Sequence, residues 1–112
     1  MDIVAAVVLI AGGLLVALTG RLTATGRIGR NRFVGIRTRS SKADDAAWRI
    51  VHRTAQPWLI GGGVALALGG VVAAASASAR PAADIAGVVA LVVLVLVGTA
   101  SGHAALRRDL PR

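Results

Sequence analysis

The sequence predicts an all-α membrane protein with three transmembrane helices. Hydrophobic residues make up 55% of the 112-residue chain and charged residues only 16%, with a mean hydropathy of +0.72. Three segments contain no Asp, Glu, Lys or Arg: residues 3–20, 57–79 and 85–105. About 20 apolar residues in an α-helix are needed to cross a hydrocarbon layer of ~30 Å. We therefore expect one membrane domain, residues 1–112.

The first apolar segment, residues 3–20, is predicted to be transmembrane helix 1. A secretory signal peptide is the alternative interpretation. Met1 and Asp2 supply no positively charged leading region, and no small-residue cleavage site follows the segment. We therefore expect it to be retained as a membrane span.

Residues 21–56 are predicted to form a basic loop followed by an amphipathic helix. Ser41 and Asp44 match a capping box, so the helix is expected to begin at Ser41. At roughly 100° per residue, one side of this helix is polar and the other apolar, with Trp48 at the boundary. The polar stripe consists of Lys42, Asp45, Arg49, Arg53 and Gln56. Such a helix is expected to lie in the headgroup region, with a bend before Pro57.

The second and third spans, residues 57–79 and 85–105, are predicted to form an antiparallel hairpin. Pro57 suits the first turn of a helix, and a short polar turn with Pro81 separates the spans. In lipid, helices approach closely through small residues. Small residues recur every four positions at Gly61, Ala65, Gly69 and Ala73, and again at Gly98 and Gly102. We expect these two faces to pack against each other; homodimerisation and substrate lining are the alternatives.

The positions of Lys and Arg predict the orientation. Nine lie in residues 21–56 and three in the tail, residues 106–112, whereas the second connection has only Arg80 and the N-terminus none. The positive-inside rule then places the N-terminus outside and both basic segments in the cytoplasm. Membrane lipids with anionic headgroups are the expected partner of the basic residues, and nucleic acid is not expected.

The composition excludes several kinds of chemistry. There is no cysteine, and His52 and His103 alone would make an incomplete metal site. No charged residue lies within a span, which argues against a pump or a coupled transporter. The sequence also contains no P-loop and no HExxH motif. We expect no catalytic residues, no metal and no cofactor, and therefore not an enzyme.

The most informative motif is "NRFVGIRTRS" followed by "WRIVH" just before the second span. Its candidate binding residues are Asn31, Gly35, Ile36, Arg37, Thr38, Trp48 and His52. This pattern resembles that of the SdpI family of small bacterial integral-membrane proteins, although Arg39 stands where a proline is common. The resemblance implies a bacterial plasma-membrane location and an immunity role: protection from a secreted toxic peptide, together with retention of a transcriptional repressor at the membrane.

The motif residues also have plausible roles of their own. Gly35 permits a close backbone approach, and the planar guanidinium of Arg37 suits a phosphate or a carboxylate. The alternative is that these residues only fold the loop onto the membrane face of the helices.

Two classes of function fit the sequence best, and a lipid- or peptide-permeating channel is less favoured because the spans lack polar lining. The first is a non-enzymatic protein that binds a toxic peptide or a cytoplasmic regulatory protein. The second is a small accessory subunit of a larger membrane complex, held by the Gly- and Ala-rich faces of the spans. A homo-oligomer is compatible with either.

Overall fold

The computed structural model describes residues 3–31 and 34–109, which contain three α-helices and no strand. They are α1 (Ile3–Ala24), α2 (Asp45–Ala75) and α3 (Arg80–Asp109). Each is long and apolar enough to cross a membrane, which confirms the prediction of three apolar helices. Residues 1–2, which bear on the signal-peptide alternative, and residues 110–112 of the predicted tail lie outside the described residues.

Helix α2 lies at the centre, with α1 and α3 packed against it. Gly13 lies against Gly63 and Gly20 against Leu59, so residue numbers rise along α1 as they fall along α2. Helix α3 is antiparallel to α2 in the same way. Residues 25–31 and 34–44, the start of α2 and the end of α3 therefore share one end of the molecule, here called the basic end.

The separate amphipathic helix predicted over residues 41–56 is not present. Helix α2 continues through Pro57 for 31 residues, and its N-cap is Asp44, whose carboxylate accepts a hydrogen bond from Ala47 N–H at 2.7 Å. The apolar side of residues 45–56 packs inside the protein rather than facing headgroups, and Trp48 is only 1% exposed. This packing holds the first turns of α2 on the axis of the span. A proline is tolerated inside a membrane helix when neighbouring elements support it.

The small residues predicted for the α2–α3 interface do lie there, but in a different register. Gly61 and Gly69 lie opposite Leu94 and Gly87, and the carbonyl of Ala65 is also close to Gly87. Gly98 and Gly102 instead pack against the first turns of α2: a Cβ on Gly102 would lie 2.7 Å from Val51 O. The two predicted faces therefore do not meet each other.

At the far end of this interface, Ala73 is fully buried. Its carbonyl accepts a hydrogen bond from Arg80 Nε at 2.9 Å.

A second interface of small residues, between α1 and α2, was not expected from the sequence. Gly13 and Gly63 are in direct backbone contact, so neither has room for a Cβ. A Cβ on Gly70 would lie 2.9 Å from Ala6 O, and one on Gly20 would lie 2.8 Å from Leu59 Cβ. On each helix the two glycines are seven residues apart, about two turns, which puts them on one face.

Candidate functional site

The candidate site is the segment of residues 34–41, here called the clamped loop, together with the side chains of α2 and α3 that hold it. The loop crosses the basic end of the bundle. Its residues Gly35, Ile36 and Thr38 contact Trp48 and His52 of α2 or His103 of α3, as the distances below show.

His52 fixes the loop to α2 through both ring nitrogens. Nδ1 lies 2.8 Å from Trp48 O, and because a carbonyl only accepts, Nδ1 must carry the proton. Nε2 is then unprotonated and accepts a hydrogen bond from Ile36 N–H at 2.9 Å. The ring is fully buried and stacks on Trp48, with 4.0 Å between the ring centroids.

His103 repeats this arrangement on α3. Its Nδ1 donates to Thr99 O at 2.7 Å, which leaves Nε2 to accept a hydrogen bond from the Thr38 hydroxyl at 2.6 Å. The same hydroxyl accepts a hydrogen bond from Ser41 N–H at 3.1 Å. Residues 36 and 38 of one loop are therefore fastened to two different helices.

Gly35 is required by both its conformation and its surroundings. Its φ is +101°, and a Cβ would lie 2.8 Å from His52 Nε2 and 3.0 Å from Trp48 Cη2. A side chain at this position would be strained and would collide with the ring pair. Trp48 in turn donates from Nε1 to Ile28 O at 3.1 Å, which ties the beginning of the connection to α2.

Three polar residues support the loop from within the connection. Asn31 closes a turn by accepting from Val34 N–H at 2.8 Å and donating to Gly29 O at 2.8 Å. Ser41, predicted to be a helix cap, is instead fully buried and donates to Ile36 O at 2.6 Å.

Arg30 is the third of these residues. Its guanidinium donates to Ala43 O at 3.1 Å and lies 3.6 Å from a carboxylate oxygen of Asp45. The loop is thus held at both ends as well as in the middle.

Six of the seven predicted binding residues therefore take part in building the site: Asn31, Gly35, Ile36, Thr38, Trp48 and His52. Ile36 packs against the buried cluster of Ala47, Val51 and Leu106. Arg37 lies between the two clamped residues, and its side chain is exposed. Arg39 and Lys42 are exposed nearby, so the outer surface of the loop is positively charged.

The sequence did not indicate the roles of Arg30 and His103. The only signal for His103 was its expected position close to the same boundary as His52. Among the described residues, no three His, Asp or Glu side chains are grouped so that they could hold a metal ion.

Two cavities border the clamped loop. An apolar groove of about 360 Å³ lies between α1 and α3; it is lined by Leu15, Val16, Thr19, Val34, Gly35, Ile36, Leu59 and Val95. A more polar cleft of about 290 Å³ lies between the loop and the end of α3, beside Asp44, His103 and Arg107.

These features define a helical membrane protein with three candidate spans, whose first connection is fastened to the second and third helices. The chain belongs to the SdpI/YfhL protein family, whose model matches residues 27–102. The match covers the loop, all of α2 and most of α3, and it confirms the resemblance seen in the motif. Searches of curated proteins and of solved structures found no match.

Proposed function

We propose that this chain is a non-enzymatic binding protein of the bacterial plasma membrane, and that it binds through the outer surface of the clamped loop with Arg37 as the central contact. One observation carries the proposal. Ile36 and Thr38, the residues on either side of Arg37, are held by His52 and His103 at 2.9 Å and 2.6 Å.

A loop held by two hydrogen bonds of this kind is better suited to binding a partner than a loop that must first be ordered. Ordering a loop on association costs free energy, and a loop that is already fixed avoids much of that cost. Arg37 presents a planar set of donors suited to a carboxylate or a phosphate, and a fixed backbone limits the directions in which it points.

The partner that fits this surface is a cytoplasmic protein with exposed carboxylates. The positive-inside pattern favours a cytoplasmic position for the basic end. Arg37, Arg39 and Lys42 are all exposed there, and surfaces of opposite charge steer association and set its orientation. A regulatory protein held at the membrane, as the family resemblance implies, would be a partner of this kind.

Protection from a toxic peptide is the second candidate. It is favoured by an exposed apolar ridge on α3, formed by Val89, Val93 and Leu96 at helical spacing. A peptide entering the bilayer would meet this ridge. Expression should then protect cells from the peptide fraction secreted by the same strain, and Leu96→Ala should weaken the protection without changing the amount of protein in the membrane.

The accessory-subunit alternative assigned Gly61, Gly98 and Gly102 to contacts with another protein. All three lie against neighbouring helices of the same chain. That alternative therefore needs a different contact surface.

The test is affinity capture of the tagged protein from native membranes, comparing wild type with Arg37→Gln. The matched control is Arg27→Gln, which removes the same charge from another exposed position of the connection. Losing a charge-assisted pair should reduce recovery of the partner about tenfold or more. Equal recovery by wild type and Arg37→Gln, or equal loss in both variants, would refute the role of Arg37.

A further inference from the structure

The apolar groove between α1 and α3 is not used by the proposed function. Each residue of an α-helix is rotated by ~100° from the one before it, and on this basis the residues of α2 that contact α1 and those that contact α3 lie on faces roughly 100° apart. The two outer helices therefore pack on different faces of α2 and leave a groove between them. Leu15 and Val16 of α1 and Val95 of α3 form the two walls. Val34, Gly35 and Ile36 of the clamped loop close the groove at the basic end.

The lining of the groove indicates what can occupy it. All of its lining residues except Thr19 are apolar or glycine, and its volume is about 360 Å³. An apolar groove that is open to the membrane between two helices suits a hydrocarbon chain.

The polar groups at the closed end of the groove indicate which kind of headgroup the bound hydrocarbon chain would carry. Thr19 lines this end, and its hydroxyl makes no hydrogen bond to any described residue. The loop that closes the groove continues after Ile36 with the exposed cations Arg37 and Arg39, which do not themselves line it. An apolar groove with a hydroxyl at its closed end, bordered by a positively charged loop, matches an acyl chain, its ester group and a negatively charged headgroup.

We propose that this groove is a binding site for one anionic phospholipid, with one of its two acyl chains between α1 and α3 and its headgroup beside the loop at the basic end. The walls that hold the acyl chain are formed by α1 and α3, apart from the surface of the proposed protein partner, whereas the headgroup would share Arg37 and Arg39 with that surface. The lipid would also fill the space beneath Gly35 and Ile36 and so support the clamped loop from the membrane side.

The proposal is tested by native mass spectrometry of the purified protein, mixed in detergent with phosphatidylglycerol or with phosphatidylcholine of the same chain length. We expect one retained phosphatidylglycerol per chain and a preference of about fivefold over phosphatidylcholine, the factor expected for one cation near a headgroup. Equal retention of the two lipids would overturn the anionic assignment.

Two variants locate the site. Val16→Trp fills the groove and should abolish retention, whereas Leu14→Trp, on the opposite side of α1, should leave it unchanged. Equal retention by both variants, or equal loss in both, overturns the groove as the site. A dimer that Val16→Trp dissociates would assign the groove to a second copy of the chain.

Thr19→Val preserves the shape of the side chain and removes only the hydroxyl. It tests whether the lipid binds in the groove even if Val16→Trp fails to fold. It should lower retention of phosphatidylglycerol, and unchanged retention would overturn the assignment. Capture of the protein partner is measured separately on the same variants, so failure of the lipid site and failure of the proposed function are distinguishable.

Discussion

His52 and His103 hold alternate residues of one loop through the same pair of ring nitrogens. On each ring, Nδ1 donates to the carbonyl four residues earlier in its own helix, at 2.8 Å and 2.7 Å. On each ring, Nε2 accepts a hydrogen bond from the loop, at 2.9 Å and 2.6 Å. The two helices thus present matching acceptors to Ile36 and Thr38.

Replacing His52 with Phe should destabilise the protein. Phe keeps an aromatic ring, but Ile36 N–H loses its acceptor in a partly buried position, which costs about 1–3 kcal/mol of unfolding free energy, and the larger ring adds crowding against Gly35. Denaturant titration in detergent micelles measures the difference. The exposed Arg49→Gln, one residue after Trp48, is the control and should leave the unfolding free energy unchanged. A His52→Phe variant as stable as wild type would show that this hydrogen bond is unimportant.

Thr38 and His103 should be energetically coupled. Thr38→Val preserves shape and removes the hydroxyl, so it should cost about 0.5–1.5 kcal/mol. In a double-mutant cycle with His103→Phe, the losses should not add, with a coupling of at least about 0.5 kcal/mol. Additive losses would mean that the 2.6 Å contact contributes nothing to stability.

Gly35 should be far more sensitive to alanine than two neighbouring glycines. Gly26 shares a positive φ but has open space, and Gly29 has open space without a positive φ. We expect no loss for Gly29→Ala, about 1 kcal/mol for Gly26→Ala and more for Gly35→Ala, where strain and collision combine. Thermal unfolding of the three variants tests the order. Equal losses of stability at Gly26 and Gly35 would show that contact with His52 adds nothing to the cost of a side chain at Gly35.

The α1–α2 contact predicts a difference between adjacent glycines. Gly13→Ala places a methyl group into the backbone of α2 and should cost about 1–3 kcal/mol. Gly12→Ala is the matched control, because its Cβ would meet only Leu66 Cδ2, at 4.0 Å. Disulfide cross-linking between cysteines introduced on α1 and α2 reports the docking of α1. Equal cross-linking in both variants would contradict close packing at Gly13.

Orientation can be tested directly because the chain has no native cysteine. Ser40 lies in the clamped loop and Ser78 in the α2–α3 connection, and both are exposed. A membrane-impermeant thiol reagent added to intact cells should label Ser78→Cys and should label Ser40→Cys only after the membrane is opened. The reverse pattern would place the basic end outside.

The three helices could be predicted because an uncharged apolar segment long enough to cross a membrane has few stable structures other than a transmembrane helix. The prediction failed at residues 41–56 for a physical reason. A polar stripe opposite Trp48 and Val51 shows that the apolar side of the helix is removed from water. It does not show whether a lipid layer or a neighbouring helix covers that side, because both produce the same sequence pattern. In the protein, Val51 lies against α3 and Trp48 beneath the loop.

The candidate site was predictable in part. The spacing of Gly35, Trp48 and His52 identified its centre, because all three lie within one short motif. His103 lies 65 residues from Thr38, and the predicted topology places both near one membrane boundary without indicating that they are in contact. Ser41 and Asp44 match the spacing of a capping box, but a serine hydroxyl serves equally well in a loop, where Ser41 donates to Ile36 O.

The shared loop limits how far α3 can slide along α2. Residues 36 and 38 are separated by one residue, so the distance between their Cα atoms cannot exceed about 7 Å, however the two helices are placed. A slide of one helical turn, about 5.4 Å, would carry His103 out of reach of Thr38 while His52 still held Ile36. Any ligand or partner that moves these helices by a full turn must first release the loop from one of its two histidines.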